Sequence, residues 1–160
     1  MSVAFTKEGD LESTAADLPD RPISPHPNLV TAAGLAALEA GLTEARTAYH
    51  AAQAAGDVQE DRTAMARATR DLRYFTARRA SAQLVETAPD PDKVVFGGSV
   101  TFEREDGRRQ TFRIVGEDEA DPAQGSVSYV SPLAKALLGK TVGETATVAG
   151  DELEILSLGA

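Results

Sequence analysis

Two heptad-spaced apolar series, separated by a glycine, constrain the fold of this 160-residue chain most strongly. The first series consists of Leu35, Leu38, Leu42, Ala45, Tyr49 and Ala52. The second consists of Met65, Ala68, Leu72, Phe75 and Ala82, with Arg79 where an apolar residue is expected. Steps of three and four residues are typical of the contact face of a coiled-coil helix. Because Gly56-Asp57 interrupts the pattern, the sequence predicts an antiparallel coiled-coil hairpin over residues 29–88, with Thr31 as an N-cap.

The C-terminal region favours strands over long helices. Short apolar or alternating segments predict strands at residues 94–102, 110–115, 126–130, 145–148 and 152–156. Glu105-Asp-Gly107 is a hairpin turn signal, and Pro132 is predicted to open a short helix that reaches Leu138. Residues 94–160 therefore predict a small twisted sheet around one helix, preceded by a linker at residues 89–93. The whole chain is predicted to be α+β.

The first 28 residues differ from the rest in composition. Four prolines stand among aspartate, glutamate and serine, and no apolar period continues for more than a few positions. Such a segment buries too little apolar surface to fold by itself. We expect residues 1–28 to form a disordered tail that is extended near Pro22 and Pro27.

Composition excludes several classes of protein. The chain has no cysteine, which excludes disulfides and thiolate metal sites, and it has no apolar run near the ~20 residues of a membrane span. Its start is unlike a signal peptide, so we expect a cytoplasmic protein without a membrane partner. The net charge of −9 argues against direct, sequence-specific DNA binding. Residues 89–160 carry 13 acidic and 7 basic side chains, which suits a basic protein surface.

Three segments of the C-terminal region resemble one known family. They are Phe112-Arg-Ile-Val-Gly-Glu-Asp-Glu-Ala-Asp121, Ser126-Val-Ser-Tyr-Val-Ser-Pro132 and Leu133-Ala-Lys-Ala-Leu-Leu-Gly-Lys-Thr-Val-Gly143. In this order and spacing they resemble the C-terminal domain of the GreA/GreB transcription elongation factors. The resemblance implies an FKBP-like domain that binds bacterial RNA polymerase at the rim of its secondary channel. It assigns that contact to Glu117, Asp118, Glu119, Asp121, Ser131 and Pro132.

The break between the apolar series also resembles the family. Gly56, Asp57 and Glu60 match the Gly-Asp-x-x-Glu-Asn pattern of the coiled-coil tip, while Asp61 replaces the asparagine. The resemblance implies that Asp57 and Glu60 hold Mg²⁺ only in complex with the polymerase, which then cleaves the 3′ end of backtracked RNA. The factor itself would not be an enzyme. A second interpretation remains open, because Gly-Asp is a common turn dipeptide and acidic residues favour the first turn of a helix.

Two departures from the family leave the function open. Ala64 stands where the family usually has tyrosine, and each arm is shorter by roughly eight residues, or ~12 Å of helix. The chain is therefore interpreted either as a cleavage-stimulating factor or as a non-catalytic regulator that occupies the channel, like the regulator-of-nucleoside-diphosphate-kinase relatives. A general coiled-coil interaction module is a third possibility.

The second arm carries an arginine ridge, defined as Arg62, Arg67, Arg70 and Arg73. The resemblance implies that such basic residues hold RNA near its 3′ end. A solvated face, partly neutralised by Glu39 and Glu44 of the first arm, is the alternative. Residues 117–121 have a similar alternative as a solubilising connection, and Ser131-Pro132 as a helix cap. Prolyl isomerase activity is excluded because the few aromatic residues cannot line the pocket that such a site requires.

Overall fold

The structure is a computed structural model that describes residues 18–55, 59–86, 88, 90 and 92–159, with side chains of residues 59–61 excluded. The described residues divide into two compact units. One contains residues 18–25 and Leu38–Ser81, and the other contains His26–Ala37 and residues 82–159. The predicted boundaries at residues 28, 88 and 93 remain predictions from the sequence.

Two long helices form the predicted antiparallel hairpin. Helix α1 spans Ala32–Ala55 and helix α2 spans Gln59–Ser81. The predicted seam is buried or half-buried along its length, and Leu38, Leu42, Ala45, Ala52 and Ala68 are its most buried members. Glu39 near the start of α1 pairs with Arg79 near the end of α2 at 3.0 Å, which establishes the antiparallel direction. The hairpin prediction is confirmed.

Two short strands flank the helical hairpin in the sequence. Strand β1, Leu29–Val30, pairs in parallel with strand β2, Gln83–Leu84. The backbone of Gln83 donates to the Asn28 carbonyl at 2.8 Å, and that of Val85 donates to the Val30 carbonyl at 3.0 Å. We call this β1–β2 pair the clasp. The clasp joins two residues that precede α1 to two residues that follow α2, and the sequence did not predict it.

The larger sheet contains five strands in the order β5-β4-β3-β7-β6. The strands are β3 Ser99–Arg104, β4 Arg109–Val115, β5 Ser126–Ser128, β6 Thr145–Val148 and β7 Asp151–Gly159. Neighbouring strands are antiparallel except β4 and β5. That parallel pair needs a crossover, which residues 116–125 supply with a 3₁₀ turn at Pro122–Gln124.

One short helix packs its apolar face into the core of the sheet. Helix α3, Pro132–Leu137, contributes Ala134 and Leu137, both fully buried. The core residues from the strands include Val100, Phe102, Ile114, Leu153 and Ile155. A helical hairpin followed by a small sheet domain confirms the predicted α+β class and the FKBP-like architecture. Strand β3 begins at Ser99 rather than at residue 94, because Gly97 adopts a φ of +83° and turns the chain.

Candidate functional site

The connection between α1 and α2 contains the predicted carboxylates. Helix α1 ends at Ala55 and α2 begins at Gln59, so the two helices are linked by residues 56–58. Asp57 lies outside the described residues, and Glu60 lies in the first turn of α2 without a described side chain. Among the described residues, no group of three acidic or histidine side chains could hold a metal ion. The Asp57–Glu60 site therefore remains a prediction, and two carboxylates would require further ligands from a partner.

The arginine ridge does not occupy a single face of α2. Arg62, Arg70 and Arg73 border one groove of about 380 Å³. Arg67 borders a different groove of about 480 Å³, between the arms, which is lined mainly by alanines such as Ala51 and Ala64. In a helix with 3.6 residues per turn, side chains three residues apart lie at gradually changing angles around the axis. The five residues from Arg62 to Arg67 place these two side chains on different sides of α2. Three of the four predicted residues are brought together.

Residues 18–23 run along the same side of α2, and we call this segment the strap. Asp20 contacts Arg73 at 3.3 Å between Oδ1 and Nη1. The guanidinium carbon of Arg21 lies 3.7 Å from the ring centroid of Tyr74, and Nη1 of Arg21 lies 3.6 Å from Oδ1 of Asp71. The strap thus supplies one acidic partner to the ridge and anchors beside it through a cation–π contact.

The first arm supplies only part of the acidic partners of the second-arm arginines. Glu39 of α1 pairs with Arg79, outside the ridge. Among the described residues, Asp20 of the strap pairs with Arg73, and Asp71 of α2 pairs with Arg70 at 3.2 Å. Neutralisation of the ridge therefore comes partly from a segment that precedes the hairpin, and no sequence periodicity could have indicated this contact.

The acidic loop, residues 117–121, is attached to the start of α1 through Glu119. The Thr31 hydroxyl donates to the carboxylate of Glu119, whose oxygens lie at 2.7 and 2.8 Å, and accepts from the Gly34 backbone N–H at 3.0 Å. Thr31 is the N-cap that the sequence predicted, and the carboxylate at a helix N-terminus is favoured by the helix dipole. Glu119 therefore has a structural role, because its carboxylate accepts a hydrogen bond at the start of α1.

A glycine allows the acidic loop to approach the clasp. A Cβ on Gly116 would lie 2.2 Å from the Leu29 carbonyl oxygen, so any side chain at this position would overlap backbone. On the loop itself, Asp118 and Asp121 are exposed, whereas Glu117 and Glu119 are half-buried. Asp118 and Asp121 are therefore the most solvent-accessible of the acidic side chains in the loop.

Ser131 and Pro132 occupy the start of α3. The Ser131 side chain accepts from the Ala134 backbone N–H at 3.2 Å, and Pro132 holds the first helical position. Ser131 is thus an N-cap, while Pro132 is exposed beside it. Sequence reasoning missed Tyr129, whose hydroxyl donates to the Pro27 carbonyl and whose ring packs edge-on against Phe96. A tyrosine in the turn after β5 gave no sequence signal of that partner.

No helix in the described ranges has the length and hydropathy needed to cross a membrane. Among the described residues, the group whose pKa is clearly displaced is Asp106, in the turn between β3 and β4. The backbone N–H of Arg108 donates to Asp106 in the β3–β4 turn and lowers the pKa of that carboxyl below its ordinary 3.8. The pKa of Asp106 therefore reports on a turn and not on a candidate site.

Comparison with known proteins gives consistent similarities. The family description "Transcription elongation factor, GreA/GreB, C-term" matches residues 88–157. Transcription elongation factor GreA of Legionella pneumophila (strain Lens) is 34% identical over 147 residues, which cover 90% of this chain and 85% of that protein. GreA of Desulfovibrio desulfuricans is 39% identical over 94 residues, and this match spans only 57% of that relative.

A solved structure also matches. The prokaryotic transcription elongation factor GreA/GreB from Nitrosomonas europaea is 17% identical and has a TM-score of 0.39. The match covers 82% of this chain and 98% of that one.

Proposed function

Because this chain belongs to the GreA/GreB family of transcription elongation factors, we propose that it binds bacterial RNA polymerase at the secondary channel and stimulates cleavage of backtracked RNA. The factor acts on the active site of the polymerase and has no catalytic residue of its own. The nascent RNA 3′ end is contacted only within that complex. The proposal needs neither a membrane nor sequence-specific DNA binding, and it places the protein in the cytoplasm.

The observation that carries the proposal is the short connection at the end of a long hairpin. Helices of 24 and 23 residues span about 35 Å each, and three residues link them. A slender helical pair with two carboxylates in and beside its connecting segment is suited to enter a narrow channel. Arg62 follows within the first turns of α2, so positive charge lies close to the same end.

Asp57 and Glu60 are the residues that would hold Mg²⁺ together with polymerase carboxylates. Hard oxygen donors fit this ion, and a site completed by a partner fits a chain that offers only two ligands here. When bound, the ion supplies charge stabilisation and a water of lowered pKa for phosphodiester hydrolysis. Arg62 would hold RNA phosphates near that end, and Arg70 and Arg73 would bind RNA phosphates further along α2.

The docking surface is proposed to consist of the acidic loop and the start of α3. Asp118, Asp121 and Pro132 are exposed and would contact the polymerase directly. Glu119 and Ser131 would act by positioning, since one holds Thr31 and the other caps α3. Glu117 is half-buried and would shape the loop beside them.

Transcript cleavage in a stalled, backtracked complex with Mg²⁺ tests the proposal. The protein is compared with Asp57→Asn/Glu60→Gln, which removes both charges at nearly constant size, and with Asp61→Asn as the matched control. We expect the double variant to lose stimulated cleavage by at least tenfold, the control to retain it, and all three to bind the polymerase in a pull-down. Cleavage that is unchanged in the double variant contradicts metal recruitment by these residues.

A non-catalytic regulator that occupies the channel is the second candidate, and Ala64 favours it. This residue is exposed on α2 near the connection and offers only a methyl group where the family usually has tyrosine. The shorter arms that the sequence predicts also favour a regulator that does not stimulate cleavage. Binding without stimulated cleavage by the unmodified protein would support this candidate, and absence of binding would contradict both.

A further inference from the structure

The strap and the arginine ridge form a contact that the proposed function does not require. We propose that residues 18–23 are an internal competitor for the ridge, which single-stranded RNA must displace in order to bind Arg62, Arg70 and Arg73. The inference rests on the proposed function only in taking RNA as the polyanion. The test uses the free protein without the polymerase. A failure of polymerase binding or of transcript cleavage therefore does not decide the outcome of this test.

The strap is held by contacts of different kinds. The Asp20 carboxylate meets the Arg73 guanidinium at 3.3 Å, in the manner in which a phosphate would pair with it. Arg21 anchors the segment from the next position, since its guanidinium lies over Tyr74 at 3.7 Å and beside Asp71 at 3.6 Å. Asp20 thus pairs with one of the arginines that are proposed to bind RNA, while its neighbour Arg21 holds the strap against α2.

The groove beside the strap shows what the contact covers. Leu18 and Asp20 of the strap line this groove of about 380 Å³ together with Arg62, Arg70 and Arg73 of α2. The strap therefore borders every ridge arginine that shares this side of α2, while Arg67 borders the other groove. An RNA phosphate that approaches Arg73 meets the strap carboxylate at that place, and phosphates at Arg62 and Arg70 would enter the groove that the strap borders.

The contact is weak enough to be displaced. Arg73 and Asp20 have side chains that are 67% and 63% exposed, so water and salt screen their attraction. Ion pairs of this kind contribute little, whereas each phosphate bound by RNA releases counterions as well. The strap would therefore reduce RNA affinity by a small factor rather than block it.

The decisive variant is Arg21→Ala, because two explanations predict opposite results. The substitution removes a positive charge, so simple electrostatics predicts weaker binding to RNA. Loss of the anchor instead frees the ridge, and we expect a fluorescent oligouridylate to bind about three- to tenfold more tightly. Fluorescence anisotropy measures this affinity, and circular dichroism verifies that the helical content is unchanged.

Two further variants separate the strap from net charge. Asp20→Asn should tighten binding, while Glu44→Gln, which removes an exposed acidic charge from α1, should change it much less. Arg73→Ala should weaken binding in every background. Equal effects of Asp20→Asn and Glu44→Gln, or weaker binding by Arg21→Ala, overturn the proposal.

A reversible crosslink provides a second measurement that leaves every arginine in place. Ile23 and Ala77 border the same small groove beside Tyr74, and the chain contains no cysteine of its own. We expect Ile23→Cys/Ala77→Cys to be joined by a short, reducible bifunctional thiol reagent, to bind RNA more weakly in the joined state, and to recover on reduction. Failure to crosslink contradicts the seating of the strap, and unchanged affinity of the crosslinked form contradicts competition.

Discussion

Gly41 lies where the ring of Phe75 packs onto α1. A Cβ at this position would lie 2.5 Å from one ring carbon and 2.8 Å from the next. Glycine lowers the intrinsic stability of a helix by about 1 kcal/mol relative to alanine, so its presence here reflects packing rather than propensity. The close approach lets one aromatic residue cover a seam that is otherwise rich in alanine.

Gly41→Ala is expected to destabilise the hairpin by about 1–2 kcal/mol, because overpacking costs more than the gain in helix propensity. In a Phe75→Leu background the same substitution should become neutral or stabilising. Urea unfolding followed by circular dichroism measures both effects, and the four proteins form a double-mutant cycle. Equal destabilisation in the two backgrounds would refute the contact as the cause.

Asp106 has a lowered pKa mainly because the backbone N–H of Arg108 donates to it, with a smaller contribution from the Arg108 side chain. A carboxyl whose folded-state pKa is lowered stabilises the fold above its unfolded pKa and loses that contribution as the pH falls through the folded pKa. We expect Arg108→Ala to leave the Asp106 pKa below 3.8, since the backbone donor remains. An NMR titration of the carboxyl carbon tests this, and a return to the ordinary value would assign the shift to the side chain instead.

At the scale of elements, the start of α1 joins a helix cap to the acidic loop. Thr31→Ala removes the acceptor for the Gly34 N–H and the donor to Glu119, and it should reduce the free energy of unfolding by about 1–2 kcal/mol. Thr31→Ser keeps the hydroxyl and should lose far less. Thermal unfolding of both variants separates the contribution of the hydroxyl to stability from that of the methyl group. Similar losses of stability in the two variants would mean that packing of the methyl group dominates.

The elements with a long or strongly patterned signal were predictable. Both long helices, the Thr31 cap, α3 behind Ser131-Pro132, and strands β4 and β6 lie close to their predicted positions. The clasp was not predictable, because two-residue strands show no alternation and owe their pairing to backbone hydrogen bonds. The start of β3 was placed too early, because an apolar run conceals the turn at Gly97.

The candidate site was predictable to a smaller extent. Spacing placed four arginines on one arm, but helical rotation separates Arg67 from the other three. Resemblance assigned Glu119 and Ser131 to binding. The structure gives Glu119 a long-range hydrogen bond to Thr31, which no sequence pattern indicates, and gives Ser131 the helix-capping bond that the sequence offered as its alternative. The strap was interpreted as part of a tail because its contacts depend on single charged and aromatic side chains, which leave no periodic pattern.

At the scale of the whole molecule, the two units differ in the apolar area that they bury. Val100, Phe102, Ile114, Leu153 and Ile155 of the sheet unit are at most 1% exposed. The hairpin buries several alanines, which contribute little apolar area each. Buried area and local stability are therefore expected to differ between the units.

Hydrogen exchange followed by mass spectrometry should show this difference. We expect amides of α1 and α2 near the connection to exchange at least tenfold faster than those of β3, β4 and β7. Adding urea below the global transition should accelerate the helical amides first. Identical exchange across both units would instead indicate a single cooperative unit.

The clasp also bears on how the length of such a protein can change during evolution. Leu29–Val30 and Gln83–Leu84 fix the departure and return of the chain at neighbouring points. Everything between them behaves as an insertion whose closure entropy grows only with the logarithm of its length. Whole turns can be added to or removed from both arms together without any change in the register of the clasp. The length of the helical hairpin can therefore evolve separately from the fold of the sheet domain.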